Sequence, residues 1–174
     1  MSDVELVDAA RQGDEQAFKQ LVIRHESKVA GVVHSMLGSG AEAEDVGQEV
    51  FVRFYQALDK FKGESLVSTY LIRIAINLSL NEIKRRKRRG SLFAREEEGR
   101  YSAIPDGATD IKEIVHYELN RLDDDFQSVV TLRLIEGYST EETAELLNIP
   151  LGTVLSRLSR AQKKLKAVLA KHMV

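Results

Sequence analysis

Apolar residues recur at spacings of three and four along most of the chain, and no stretch shows the two-residue alternation of a half-buried strand. Ser2 with Glu5 three positions later forms a capping-box pattern, which opens a short helix that stops near Gly13. Asp14 can cap a second helix. Its inward stripe is Phe18, Leu21, Val22, His25, Val29, Val32, Val33 and Met36, and Gly38 and Gly40 end it. A third helix is expected from about Ala41 to Leu58, burying Val46, Val50, Phe54 and Leu58. Residues 59–65, with Gly63 among them, read as a loop. A fourth helix begins near Leu66, carries Val67, Leu71, Ile74 and Leu78 inward, and runs into six consecutive basic residues at 84–89.

Periodicity then fails. Residues 91 to about 108 hold Gly99, Pro105, Gly107 and three consecutive glutamates, the composition of a linker. Ile111, Ile114, Val115 and Leu122 restart the helical pattern. Phe126, Val129, Val130 and Leu134 define another helix, closed by Gly137. Ser139 and Glu142 repeat the capping-box pattern ahead of a short helix at about 140–147. Asn148 suits a left-handed turn before Pro150, and a final helix runs from about Leu151. The expected fold is all-α, with two helical domains joined by a flexible linker. A four-helix bundle spans 1–90, the acidic linker 91–109, and a helix-turn-helix domain 110–174.

Composition narrows the classes. A chain of 174 residues is comfortable for two small domains. It has no cysteine, so disulfides, thiolate zinc sites and a cysteine nucleophile are excluded, which fits a reducing, cytoplasmic setting. The acidic start lacks the order of a signal peptide, and no apolar run suits membrane insertion. The 25 basic and 27 acidic residues nearly cancel, but they are segregated. Residues 1–60 hold 11 acids and 6 bases, residues 93–125 hold 10 and 4, and no acid follows Pro150. Such asymmetry points to several binding surfaces of opposite sign.

The helix-turn-helix at 140–158 is the strongest candidate for chemistry. Ala144 supplies a small residue where the two helices meet, and Leu147, Ile149, Val154 and Leu158 can form their shared core. The second helix then offers Thr153, Ser156, Arg157, Ser159 and Arg160 outward, with Lys163 beyond. Arginine bonds guanine edges bidentately, and hydroxyls reach phosphates or bases. Gly152 leaves backbone N–H groups open to a phosphate. Thr143 stands where an aliphatic is usual and weakens the hairpin unless its hydroxyl bonds the preceding turn. The basic tract, with Arg73, Asn77 and Asn81 off the apolar stripe and Tyr55, Phe61 and Tyr70 nearby, suits single-stranded nucleic acid, although core packing serves those aromatics equally well. Asp45, Gln48 and Glu49 cluster on one helical surface suited to docking a protein. Gly38 to Ala43 imitate a dinucleotide fingerprint but follow a helix instead of a strand, and the four histidines share no ligand spacing. No metal site, cofactor or catalytic residue is expected.

In order, these segments resemble the extracytoplasmic-function (ECF) σ factors, small initiation subunits of bacterial RNA polymerase. Residues 45–53, Asp-Val-Gly-Gln-Glu-Val-Phe-Val-Arg, resemble the family's clamp-binding segment. Residues 61–65 and 68–77 resemble its promoter-melting and −10 segment, and residues 137–161 its −35 reader. The resemblance implies that Asp45, Gln48, Glu49, Val52 and Arg53 meet the β′ clamp helices of the polymerase core. It implies that Phe61, Lys62, Ser68, Thr69, Tyr70, Arg73, Asn77, Lys84, Arg85, Lys87 and Arg88 serve the −10 DNA. It also implies that Gly152, Thr153, Ser156, Arg157, Ser159, Arg160 and Lys163 serve the −35 DNA. The β flap, promoter DNA and an anti-σ factor are the further partners it implies, and the protein is not an enzyme. The chain departs from the family at Tyr70, where tryptophan is usual, at Leu66, at Leu155 in place of a basic residue, and at Asp123 in place of proline, where an acidic cap would serve. Two other classes remain open: a σ-like mimic that binds an anti-σ factor and no DNA, and a helix-turn-helix regulator with an unrelated bundle.

Overall fold

The structure, a computed structural model, describes residues 1–96 and 111–172. Among these residues there are eight α-helices and no strand. Contacts divide the chain into two units, Met1–Ser79 and Leu80–Val174.

The first unit begins with α1 (Asp3–Arg11), opened by the Ser2–Glu5 capping box. Its reciprocal bond, in which the Ser2 backbone N–H donates to the Glu5 carboxylate, holds that carboxyl below its ordinary value. The Asp14 side chain caps α2 (Glu15–Leu37) by accepting from the N–H groups of Gln16 and Ala17. The second helix stops where Gly38 takes a φ of 83°, a conformation that disfavours any side chain. It packs on α1 and on α3 (Ala41–Gln56). Buried His25 places Nε2 2.9 Å from Asp3 Oδ2, and Arg24 holds the other Asp3 oxygen at 3.1 Å, so one aspartate ties α1 to α2. Helix α3 ends at Gln56, short of the expected Leu58, and Leu58–Lys60 tighten into a 3₁₀ turn that runs into the expected loop.

The fourth helix, α4, runs from Val67 to Glu96. Its buried stripe is Leu71, Ile72, Ala75, Ile76 and Ser79, whereas Ile74 and Leu78, expected inward, are only half-buried. The largest aliphatics mark a stripe one residue away from the true centre, which small Ala75 and Ser79 occupy. The helix also passes Gly90 into the span expected as linker. Lysine and arginine are good helix formers, and one glycine does not outweigh six of them. The rest of the expected linker, residues 97–109, lies outside the described residues.

In the second unit, α5 (Ile111–Arg121), α6 (Asp124–Val130) and α7 (Thr140–Leu147) all pack against α8 (Leu151–His172). Leu119, Leu122, Val130 and Ala161 form the core, with Phe126 and Leu165 packed against it. Asp123 sits at the start of α6, but its side chain makes no capping bond there; its carbonyl accepts from Phe126 and Gln127 instead. After Val130 the chain widens into a π turn at Thr131–Ile135, where the Glu136 N–H reaches Thr131 O at 2.9 Å. The extra residue turns Leu132 inward and leaves Leu134, expected inward, exposed. It also leaves the buried Thr131 Oγ1 and Arg133 Nε without hydrogen bonds among the described residues. Gly137, at φ 77°, closes the turn.

Candidate nucleic-acid interface

The outer face of α3 follows from its inner one. Val50 and Phe54 are buried, so Asp45, Gln48, Glu49, Val52 and Arg53 all lie exposed. Glu49 and Arg53 pair across one turn at 3.3 Å. Beside this face, a shallow groove between α2 and α3 is lined by Val22, Ala30, Ala43, Gly47 and Phe51. It joins an apolar strip to an acidic rim, a combination suited to a basic amphipathic partner.

The loop between α3 and α4 rests on a chain of five rings. Phe54 lies 6.1 Å from Phe18, 6.0 Å from Phe61 and 5.8 Å from Tyr70, Phe61 meets Tyr70 at 5.1 Å, and Tyr55 meets Phe18 at 5.0 Å. Phe61 is therefore core, with its ring closed in by Phe54 and Tyr70, and Thr69 is buried as well. Tyr70 and Ser68 are half-buried, while Tyr55, Lys62 and Leu66 are exposed. Arg11, which sequence reasoning passes over, holds this loop. Its Nε donates to Leu58 O at 2.8 Å, its Nη2 donates to Phe61 O, and Asp8 steadies the guanidinium at 3.0 Å. No spacing signals the role, because the acceptors are main-chain carbonyls far along the chain.

On α4, Asn77 is exposed and Arg73 half-buried. The basic tract is divided. Glu82, nearly buried, draws Arg85, Arg86 and Arg89 to 3.8, 4.0 and 3.7 Å along one edge of the helix. Lys84, Lys87 and Arg88 fall outside that edge, all exposed. The glutamate offsets part of the tract's charge, and Lys84 pairs with Asp124 at 3.2 Å.

In the second unit, the Ser139–Glu142 capping box and the left-handed Asn148 (φ 54°) form as expected. Burial and the nearby Glu136 and Glu142 raise the Tyr138 hydroxyl above its ordinary value. Thr143 is fully buried and its hydroxyl donates to Ser139 O at 2.8 Å, so its polar atom is satisfied. Within the hairpin Thr143, Leu146 and Val154 are buried, while Ala144, Leu147, Ile149 and Leu158 are only half-buried. On α8, Gly152, Ser156, Ser159, Arg160 and Lys163 are exposed, whereas Thr153 and Arg157 are half-buried. Arg157 leans on Asp125 at 3.7 Å, while Arg160 has no ion pair among the described residues. The Thr153 and Val154 N–H groups bond Pro150 O, and those of Leu151 and Gly152 have no partner among the described residues. Among the described residues, no set of His, Cys, Asp and Glu is grouped to hold a metal ion, and no helix is long and apolar enough to cross a membrane.

Comparison with known proteins agrees with this geometry. Residues 21–89 match the Sigma-70 region 2 family and residues 112–165 the Sigma-70, region 4 family. The RNA polymerase sigma-H factor of Pseudomonas aeruginosa is 33% identical over 96% of this chain and 93% of its own length. The ECF RNA polymerase sigma-E factor of Escherichia coli K12 is 35% identical over 94% and 92%. Among solved structures, CnrH, in complex with the cytosolic domain of CnrY, aligns over 97% of both chains with a TM-score of 0.71 and 29% identity. The sigma factor RpoE of Bartonella quintana, bound to the anti-sigma factor NepR, shares the fold at a TM-score of 0.61 and 24% identity, over 88% of this chain and 96% of that one. With a region 2 segment, a region 4 segment and relatives matched over nearly their whole length, this chain belongs to the ECF family of RNA polymerase sigma factors.

Proposed function

We propose that the chain divides promoter recognition among its exposed faces. Asp45, Gln48, Glu49, Val52 and Arg53 dock on the β′ clamp helices. Lys62, Ser68, Tyr70, Arg73, Asn77, Lys84, Arg85, Lys87 and Arg88 bind the −10 strand, with Phe61 and Thr69 shaping the loop from within. Gly152, Thr153, Ser156, Arg157, Ser159, Arg160 and Lys163 engage the −35 major groove. The region 2-like domain spans 1–90 and the region 4-like domain 110–174, with 91–109 between them. The polymerase performs the chemistry, so this subunit is not an enzyme, and its place is the cytoplasm. An anti-σ factor restrains it, a reading supported by the shared fold of the Bartonella quintana sigma factor RpoE, which is bound to the anti-sigma factor NepR. The apolar strip of Leu134, Leu165 and Leu169, rimmed by Lys166, suits the β flap.

The observation that carries this proposal is an acid-free α8 with exposed Arg160, combined with an exposed basic edge on α4. That pattern disfavours a mimic that avoids DNA. Run-off transcription with core polymerase tests it, on a promoter selected from a random library by the reconstituted holoenzyme. A folded chain that gives no transcript above core alone would end the proposal.

Two substitutions refine the −35 assignment. Arg160→Ala is expected to weaken binding to the selected −35 element by about 1–3 kcal/mol, and to weaken binding to scrambled DNA much less. Equal losses on both DNAs would instead mark a phosphate contact. Gly152 tells the complementary story. A Cβ there meets nothing within 4 Å in the protein, so Gly152→Ala is expected to gain roughly 0.5–1 kcal/mol of helix stability. The same methyl would crowd a phosphate seated on the free amides, weakening DNA binding about fivefold, the worth of about one hydrogen bond. Thermal unfolding and fluorescence anisotropy separate the two effects, and unchanged affinity would remove the phosphate from that position.

A further inference from the structure

On α8, Leu151, Gly152, Leu155, Ser156, Ser159 and Arg160 form one unbroken exposed face. Leu155 lies in the N-terminal half of the helix, 51% exposed, and Leu151, one turn earlier, is 43% exposed. Residues one turn apart are neighbours, so the two leucines make an aliphatic ridge on an otherwise polar and cationic surface. Ser156, beside the ridge, donates its hydroxyl to Thr153 O at 3.2 Å.

We propose that Leu155 is a specificity residue that reads the C5-methyl group of a thymine in the −35 major groove. This assignment rests on the −35 role proposed above for α8. Leucine has no hydrogen-bonding group, so it cannot read a base edge through donors or acceptors and cannot hold a phosphate. The apolar feature that the bases present in the major groove is the thymine methyl. The first turns of a recognition helix are where side chains meet base edges. The occupant is an anion, because the helix carries no acid while Arg160 and Lys163 flank the ridge. That favours DNA over an apolar protein partner. A leucine at this position therefore gives a preference between thymine and other bases.

Deoxyuridine tests the idea, since it keeps every hydrogen bond of thymine and lacks the methyl group. The full chain, bound to core polymerase, first selects a −35 element from a randomised duplex library. Each −35 thymine is then replaced singly by deoxyuridine, and affinity is measured for the wild type and for Leu155→Ala. One replacement is expected to weaken the wild-type holoenzyme about fourfold, the worth of one buried methyl group, and to change Leu155→Ala less than twofold. Equal responses of the two proteins at every thymine would overturn the assignment while leaving −35 recognition intact. So would a loss of core-polymerase affinity in Leu155→Ala with thymine discrimination retained, which would make the ridge a protein contact. Selection of no −35 element at all would overturn both this assignment and the reading beneath it.

Discussion

Phe54→Ala is expected to destabilise the first unit by about 3–5 kcal/mol, the cost of an unfilled aromatic cavity. The Phe54 ring is wholly buried and touches Phe18 on α2, Phe61 in the loop and Tyr70 on α4. Few residues join so many elements through one side chain. The loss would also free Phe61 and Tyr70, so promoter opening should fall further than stability alone explains. Urea unfolding followed by circular dichroism measures the first effect, and permanganate reactivity of −10 thymines measures the second. Phe54→Leu keeps most of the volume and should recover most of the stability, since shape-preserving swaps cost little. A loss under 1 kcal/mol in Phe54→Ala would show that the ring cluster is not the keystone of this unit.

Arg11→Ala carries the next largest effect. It strips a cationic donor from the carbonyls of Leu58 and Phe61, and hydrogen bonds from charged groups are worth about 1.5–3 kcal/mol. Because Arg11 is part-exposed, we expect a total near 2 kcal/mol, concentrated in the loop. Amide exchange at 58–66 should accelerate at least roughly tenfold, while −35 affinity stays unchanged. Arg11→Lys should restore little, because an ammonium lacks the fork that spans two carbonyls. Uniformly faster exchange across the whole unit would reduce Arg11 to a general stabiliser.

These two residues also mark where sequence reasoning stops. The caps at Ser2, Asp14 and Ser139 and the turn at Asn148 were legible because each rests on chemistry within four residues. The exposed face of α3 was legible because helical period divides inside from outside, and on α8 the same period placed Ser156, Ser159 and Arg160 outward, whereas Thr153 and Arg157 are half-buried. Phe61 was not: an aromatic beside a basic helix can stack on a base or on another ring, and only the position of Phe54 decides. In α7, Leu146 and Leu147 are adjacent and equally apolar, so the crossing angle with α8 chooses between them, and it buries Leu146. Arg11 was silent for a third reason. Its acceptors are backbone atoms, which every residue supplies, so no side chain announces the bond.

The π turn at Thr131–Ile135 has a mechanical meaning. A helix is a screw in which one residue equals about 100° of rotation, so an added residue resets the phase of all that follows. Here the reset lies between the core-forming α6 and the hairpin that presents α8. Deleting a single residue from the turn would regularise the helix and satisfy its ladder, yet would rotate Gly137 and the entry to α7 away from their present heading. The widened turn thus acts as a gear tooth, setting the angle at which the reading head emerges from the core that carries it.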